Sequence, residues 1–429
     1  MNKSAIVIHV AAGVRTPFLK AGSAFSHLDA IGLSVPVVQA MMSRLAGARP
    51  DMFVWGTVIP NLTWSNIARE VLLDAGIDAT IPAFSTVMAC STSMVGVFQA
   101  AGMIDGDSRR LALVGGVESM SRLQIGFGQN FSDWLREFQG ARTIVAKLQH
   151  LVELNPRDVR LWIPKVVNRT SGLSMGEHTE ITARQWEIPR QRQDELALQS
   201  HRRAIAAWDA GFFDDLVEPL ATATQTIRSD GLPRRDTSAE RLALLKPVFD
   251  TTSGYGTLTA GNSSSLTDGA AALWVGSEEG IAKLPTGTPT ARLIDWEMAS
   301  VDFKVEGLLM APVFAVPRLL ARHGLRYEDI GLWELHEAFA AQVAFHIKAW
   351  QNERFLRERV GIEPNFGRFP EERINPNGGS VALGHPFAAT GARILSQTIK
   401  ELASRPKGTR AIVSICADGG IGTVALLQT

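Results

Sequence analysis

Cysteine is nearly absent: the 429-residue chain has two, Cys90 and Cys416. Two cysteines can form one bridge at most, and nothing else in the chain speaks of an oxidising compartment, so a disulfide framework is not what holds it together. The two cysteines and 9 histidines show no CxxC or HxxxH spacing, so no structural metal is expected. Any role for either cysteine is that of a thiol. Long apolar runs are also missing; none reaches the roughly 18–20 residues of a membrane span. The opening run Ile6-Val7-Ile8-His9-Val10 is too short, and too weakly basic in front, for a secretion signal, and it predicts a first buried strand. The last residues, Leu427-Gln428-Thr429, match no common targeting tail, and the cytoplasm is the expected location. Charge of one sign is not in excess, with 43 basic against 43 acidic residues, which argues against nucleic acid as the main partner.

What is present is apolar residue in quantity, 45% of the chain, enough for the core of two or three packed domains. Short apolar runs alternate with helical patterns, the signature of α/β layers. Strands are expected at Ile6–Val10, Phe53–Thr57, Ala83–Met88, Leu111–Val114, Leu332–Leu335 and Ala411–Ser414, and an amphipathic helix at Met94–Ile104. From Gln124 to about Thr252 the buried strands fade and Arg, Trp and polar segments increase, so this stretch is expected to be an insertion between two α/β halves. The halves echo each other weakly. Each has a small-residue turn opening a helix, at Cys90-Ser91-Thr92-Ser93 and at Gly384-His385-Pro386-Phe387, and each returns to a glycine-rich strand end.

Four places could carry chemistry. Cys90 follows a strand-like run and precedes a helix, where unpaired N–H groups and the helix dipole are expected to lower the thiol pKa; a buried structural cysteine is the alternative. His385, between Gly384 and a Pro386 suited to a first helical position, could take a proton from a nearby thiol, or could merely cap the helix. Cys416 ends a strand before Gly419-Gly420, where it could shuttle protons and where backbone N–H groups could face an anion; a plain glycine turn with a core cysteine is the alternative. His336, beside Glu337 at a strand-to-helix turn, could donate to a developing oxyanion, or the pair could be a solvated helix start.

Taken together and in this order, the four resemble the thiolase family. The resemblance runs nearly end to end, through Val14-Arg15-Thr16-Pro17-Phe18, the Cys90 segment, Gly115-Gly116-Val117-Glu118-Ser119-Met120, Ser174-Met175-Gly176, Thr259-Ala260-Gly261-Asn262-Ser263, Thr267-Asp268-Gly269-Ala270-Ala271, His336-Glu337-Ala338-Phe339, Gly384-His385-Pro386 and Cys416. His336-Glu337-Ala338-Phe339 and the run Gly384–Arg393 look most like the thiolase subunit of fatty-acid oxidation trifunctional complexes.

The resemblance implies an αβαβα fold of two similar five-stranded halves: an N-terminal half from 1–123 with 253–275, an inserted loop domain at 124–252, and a C-terminal half at 276–429. It implies an acyltransferase that cleaves 3-ketoacyl-CoA with coenzyme A in fatty-acid β-oxidation. The biosynthetic direction, or a catalytically silent lipid-carrier or scaffold homologue, is the alternative. Cys90 would carry the acyl group, His385 would take its proton, and Cys416 would be the acid/base at the α-carbon. His336 with His385 would line one oxyanion hole, the backbone N–H groups of Cys90 and Asp418 the other. Ser174, Met175, Met310, Ala338 and Phe339 would contact the pantetheine and acyl chains. Coenzyme A is implied as co-substrate with no permanently bound cofactor, and a homodimer or dimer of dimers as the assembly.

Two residues depart from the family pattern. Asp418 stands where Gly or Ala is common, and its charge could raise the Cys416 pKa. Tyr255 stands where a small polar residue usually meets the pantetheine. In the stretch 124–165, Phe127, Phe131, Trp134, Leu135, Phe138, Ile144, Leu148 and Leu151 recur at near-helical spacing. Such a stripe needs cover, from a hydratase–dehydrogenase subunit, from a membrane surface, or from the acyl site as its lid.

Overall fold

The computed structural model describes residues 6–45, 47–106 and 109–429. Five main strands form the first half of a mixed sheet, β1 (Ile8–Ala11), β2 (Met52–Gly56), β3 (Ala83–Ser85), β4 (Leu111–Glu118) and, much later in the chain, β5 (Thr267–Ser277), and the two-residue strand Leu19–Lys20 pairs with β5 off this path. Four form the second: β6 (Thr290–Ser300), β7 (Leu332–Leu335), β8 (Arg410–Ala417) and β9 (Ile421–Gln428). An isolated parallel bridge between Trp333 and Ile374 stands beside β7. The order is β7-β8-β9-β6-β1-β5-β4-β2-β3, and the halves join where β1 pairs with both β5 and β6. The parallel pairs, β2 with β3, β2 with β4 and β7 with β8, need crossovers, which helices supply.

Every residue of β4 and β5 is buried, as befits strands covered on both faces. The strand expected at Leu111–Val114 runs on to Glu118, because Gly115 and Gly116 are strand rather than turn. A Cβ on Gly115 would meet the Trp55 ring at 2.3 Å, and one on Gly116 the Ala388 carbonyl oxygen at 2.4 Å. Glycine is there because two neighbours press on the strand, not because it bends. β5, β6 and β9 were not anticipated; Thr267-Asp268-Gly269-Ala270-Ala271 has little intrinsic strand preference, and burial decides it.

The layers follow from where the apolar faces point. On the outer face of the first half lie α1 (Ala30–Ser43) and α2 (Ile67–Asp74), packed through Leu33, Val37 and Val71 onto Phe53, Trp55 and Trp274. On the outer face of the second lie α8 (Ala311–Arg322) and α9 (Ala340–Trp350), packed onto Trp333 and Val424. Between the two sheet halves run α3 (Thr92–Gly106) and α10 (Thr390–Ala403), whose residues Met94, Val97, Ile394 and Leu395 share one cluster with Val10, Val54 and Val413. Helix, sheet, helix, sheet, helix is the result.

α3 and α10 touch near their N-termini because one residue has no side chain. A Cβ on Gly391 would lie 2.6 Å from the Met94 nitrogen, and the Ala392 N–H donates to Ser93 Oγ at 2.8 Å. Two helix N-termini, with their positive ends, therefore converge on one spot at the heart of the fold.

The insertion carries α4 (Gln129–Gly140), α5 (Ile144–Glu153), α6 (Met175–Gln185) and α7 (Arg190–Asp209). No residue of α4 or α5 is fully buried. Phe127, Phe131, Trp134 and Phe138 form a continuous ring ladder, with successive centroids 4.9, 5.5 and 5.2 Å apart, and Trp134 donates its indole N–H to the His150 carbonyl at 2.8 Å. This ladder is the hairpin's own core. The face left open is on α5 and the strand after it: Ile144, Val145, Leu148, Val152, Leu161 and Trp162 are all more than half exposed. Among the described residues no helix is long and apolar enough to cross a membrane.

Candidate active site

The chain leaves β3 and enters α3 through a tight turn, Ala89–Ser91, that holds Cys90. Ala89 has φ of +45°, a left-handed conformation costing a non-glycine residue about 1–2 kcal/mol. Thr92 holds it there: its hydroxyl accepts from the Met88 N–H at 2.9 Å and donates to the Ala89 carbonyl at 2.7 Å. The turn presses the sulfur toward the start of α10.

There His385 waits. Its Nε2 lies 3.1 Å from Cys90 Sγ and its Nδ1 2.6 Å from Thr390 Oγ1. Thr390 gives its one hydroxyl hydrogen to the Pro386 carbonyl at 3.2 Å, so its oxygen accepts from Nδ1–H. On that network Nε2 is a bare lone pair facing the thiol, the tautomer a base requires. His385 is not directly at the helix start as expected; Pro386 and a 3₁₀ turn, Phe387–Ala389, intervene before Thr390.

Electrostatics make this a neutral pair at rest. Burial pushes the Cys90 thiol up to about 12, with the charges of Asp418 and Glu118 adding to it, while the backbone N–H groups of Asp418 and of Cys90 itself pull it back. Burial, then the Arg393 charge, takes His385 down to about 3. The direction is opposite to the expected lowering, because loss of water outweighs the two backbone N–H groups that favour the thiolate. The two backbone donors named for an oxyanion hole are nonetheless those that point at the sulfur.

Cys416 is the penultimate residue of β8, is 1% exposed, and is held well above the ordinary thiol range by burial and then by the neighbouring Cys90. The charge of Asp418 acts on Cys90 rather than, as expected, on Cys416. Asp418 is itself held, accepting from Asn168 Nδ2 at 2.8 Å and from the Gly419 N–H at 2.7 Å.

His336 ends the run from β7, its ring centroid 4.2 Å from that of His385. Its Nδ1 lies 2.8 Å from Ser380 Oγ, and its Nε2 is buried with no hydrogen-bond partner. Cys90 Sγ and nitrogens of His336 and His385 fall within 4.8 Å of one another. By type and spacing that trio could also ligate a soft divalent ion. Burial, then His385, Arg393 and His346, hold His336 well below its ordinary pKa, so it is neutral. Glu337 is no solvated helix start: it accepts from Ser200 Oγ, Asn375 Nδ2 and the Val381 N–H, at 2.7, 2.6 and 3.1 Å. It ties the insertion to the loop before His385.

Cys90, His385, Cys416 and Asp418 line one cavity of about 450 Å³. Ser174, Met175, Ala338 and Phe339 line it too, and so do Val58, Ile59, Met120, Leu123, Val166 and Phe387, which gives it apolar walls around a polar floor. Two expected substrate contacts are not on this wall. Met310 is fully buried at the start of α8, and its neighbour Leu309 takes the place at the cavity. Tyr255 is 72% exposed, with the Arg184 guanidinium over its ring.

Several residues escaped the sequence. Thr390 and Ser380 orient the two histidines. Glu118, fully buried and raised to about 7 by burial, accepts from Thr57 Oγ1 and from the N–H groups of Val58 and Ile59, joining that loop to the Ala388 N–H beyond His385. Its motif was visible, but a carboxylate used as a buried acceptor has no spacing signature.

The family profile described as Thiolase, N-terminal domain matches residues 8–279, and Thiolase, C-terminal domain matches 287–429. The chain is 36% identical over 426 residues to a 3-ketoacyl-CoA thiolase of Yersinia enterocolitica, covering 98% of this chain and 96% of that one. Among solved structures, an acetyl-CoA acetyltransferase of Bacillus anthracis superposes with a TM-score of 0.79 at 30% identity, over 99% of both chains. The Acat5 thiolase of Ascaris suum, solved in complex with coenzyme A, gives 0.77 at 27% identity, over 99% of this chain and 100% of that one. Matched over nearly its whole length, and with a paired thiol and imidazole where its two central helices meet, the chain belongs to the thiolase family.

Proposed function

We propose that this protein is a 3-ketoacyl-CoA thiolase, an acyltransferase that cleaves 3-ketoacyl-CoA with coenzyme A as co-substrate. The observation that carries the reading is Nε2 of His385 at 3.1 Å from Cys90 Sγ, on the floor of an apolar cavity that Cys416 also lines. In the first half-reaction His385 takes the Cys90 proton as the sulfur attacks the 3-keto carbon. The bond between the α-carbon and that carbon breaks, the acyl group stays on sulfur as a thioester, and Cys416 gives its proton to the departing acetyl-CoA carbanion. In the second, the thiol of coenzyme A attacks the acyl-enzyme and gives its proton to the Cys416 thiolate, and as the acyl group leaves Cys90, His385 returns its proton to that sulfur. A neutral thiol beside a neutral imidazole suits this, since the proton moves only when substrate is in place. His336 and the backbone N–H groups of Cys90 and Asp418 would stabilise negative oxygen; Ser174, Met175, Ala338 and Phe339 would hold pantetheine and acyl chain. The reaction is reversible, so the biosynthetic direction uses the same groups. A silent homologue would have no need of an oriented base.

The test is mass spectrometry after mixing with 3-ketoacyl-CoA. An acyl adduct on the peptide holding Cys90, absent with loss of thiolysis in Cys90→Ser, is the expected result. An adduct on Cys416 would reverse the two roles, and no adduct with no thiolysis would remove the function.

The same proposal divides the chain into halves at 1–123 with 253–275 and at 276–429, around the insertion 124–252. It places a homodimer, or a dimer of such dimers, on the short, half-exposed edge strand β3. It also assigns the open face of α5 to docking, on a hydratase–dehydrogenase subunit or a lipid surface.

A further inference from the structure

We infer that Ser380 and Arg393 are positioning residues that fix His336 as the Nε2–H tautomer, so that it presents a hydrogen-bond donor, rather than a lone pair, to the reacting oxygen. The inference rests on the thiolase reading of the site and goes beyond it in saying which atom of His336 holds the proton and what puts it there.

The argument is a count of hydrogens around one buried oxygen. Ser380 Oγ lies between two side chains: Arg393 Nη2 at 2.6 Å and His336 Nδ1 at 2.8 Å. All three residues are buried, at 0%, 2% and 1% exposure for Ser380, Arg393 and His336, so no contact is shared with bulk water. A guanidinium has donors only, so it occupies one Ser380 lone pair and can never take the hydroxyl hydrogen. That hydrogen needs an acceptor, and the nitrogen 2.8 Å away is one if it is unprotonated. A neutral imidazole has one N–H. If Nδ1 carried it, both neighbours would donate to Ser380, its hydroxyl hydrogen would have no acceptor among the described residues, and the Nε2 lone pair would also be unmatched. If Nε2 carries it, Ser380 donates to Nδ1 and both contacts are satisfied. The His336 atom then left over is Nε2–H, buried without a partner, as are Nε and Nη1 of Arg393.

That leftover donor is where the site needs one. A nitrogen of His336 lies with Cys90 Sγ and a nitrogen of His385 inside a 4.8 Å group, which sets the His336 ring beside the sulfur, where an oxygen on the carbon it attacks, or on the enolate of the departing acetyl group, would be held. Arg393 stays cationic, held to about 10 by burial against the charges of Glu334 and Glu337, and it strengthens the donor chain through Ser380. The two histidines thus have opposite tautomers, each set by one hydroxyl. Thr390, which donates to a carbonyl, makes His385 an acceptor at Nε2; Ser380, which accepts from a guanidinium, makes His336 a donor at Nε2.

The test is the nitrogen spectrum of the whole protein carrying ¹⁵N-labelled histidine, with His336 assigned by the loss of its signals in His336→Asn. Wild type is expected to show His336 with the proton on Nε2; a proton on Nδ1 overturns the inference whatever the activity. Ser380→Ala is expected to mix the two forms, lower kcat about tenfold and leave KM within about twofold, while iodoacetamide still alkylates Cys90 at the wild-type rate. Ser380→Thr, which keeps the hydroxyl, is expected to recover the tautomer and most of kcat. A Ser380→Ala enzyme with wild-type kcat would also overturn the inference. Loss of thiolysis in wild type would sink the proposed function instead and leave the tautomer result standing.

Discussion

Replacing Thr390 with valine removes one hydroxyl from a position that is 0% exposed, while keeping shape and nearly the volume. In the native protein that oxygen accepts from His385 Nδ1–H at 2.6 Å. Without it, the buried N–H is left without its partner, at a cost of about 1–3 kcal/mol. The imidazole can avoid the cost only by moving its proton to Nε2, where it meets a thiol that is also protonated and the base is lost. Either way the penalty falls on the state that takes the Cys90 proton. About 1.4 kcal/mol is tenfold in rate, so acylation of Cys90 should slow about tenfold to a hundredfold. The assay is rapid-quench trapping of the acyl-enzyme in a single turnover, with thermal unfolding alongside to show that the variant folds. Thr390→Ser should recover most of the rate. Acylation in Thr390→Val within twofold of wild type would refute the claim that this hydroxyl sets the base.

Four more outcomes are expected. Cys416→Ala should still acylate Cys90 yet lose hydrogen–deuterium exchange at the α-carbon of acetyl-CoA; exchange at the wild-type rate would remove Cys416 from the mechanism. Alkylation of free Cys90 by iodoacetamide should rise about tenfold per pH unit from about pH 6 to 9, because a thiol pushed up to about 12 gains thiolate through that whole window; a plateau below about pH 8 would mean a preformed thiolate. Val145→Asp with Val152→Asp alters side chains 66% and 87% exposed, so stability should change by less than about 1 kcal/mol and short-chain thiolysis should persist, while binding to a hydratase–dehydrogenase subunit or to anionic liposomes is lost. Unfolding, or loss of activity toward long acyl chains alone, would make that face a core or a lid. Light scattering at micromolar concentration should give at least twice the 46.5 kDa chain mass, and a stable monomer would count against the dimer.

The parts of the site legible in the sequence are those where the chain is forced into a turn beside a reactive side chain. Cys90 and His336 each lie between a strand and a helix, His385 lies just before the 3₁₀ turn that leads into α10, and Cys416 lies near the end of a strand before a glycine turn, and small residues mark the crowding. What was not legible lies in pairings across the fold. Asn168 holds Asp418 from 250 positions away, and neither has a motif that names the other. Ser380 and Thr390 look like ordinary helix-start hydroxyls until the histidine beside each is placed. The direction of the Cys90 shift is not legible, because a helix N-terminus can be read from residue pattern whereas depth of burial cannot. The hairpin shows the same limit. Spacing marks an apolar stripe over both α4 and α5, but only packing reveals that Phe131 and Trp134 cover each other and that α5 carries the open face.

Sulfur and base come from opposite halves and meet only because Gly391 lets the two central helices touch. They are 295 positions apart in the chain. At about 5–20 residues per second of synthesis, roughly 15–60 s separate the emergence of Cys90 from that of His385. Through that interval a nascent chain carries a thiol with no proton acceptor and no cavity around it. Reactivity is therefore acquired late and all at once, when the C-terminal helix docks, and an unfinished chain does not turn over cellular acyl-CoA.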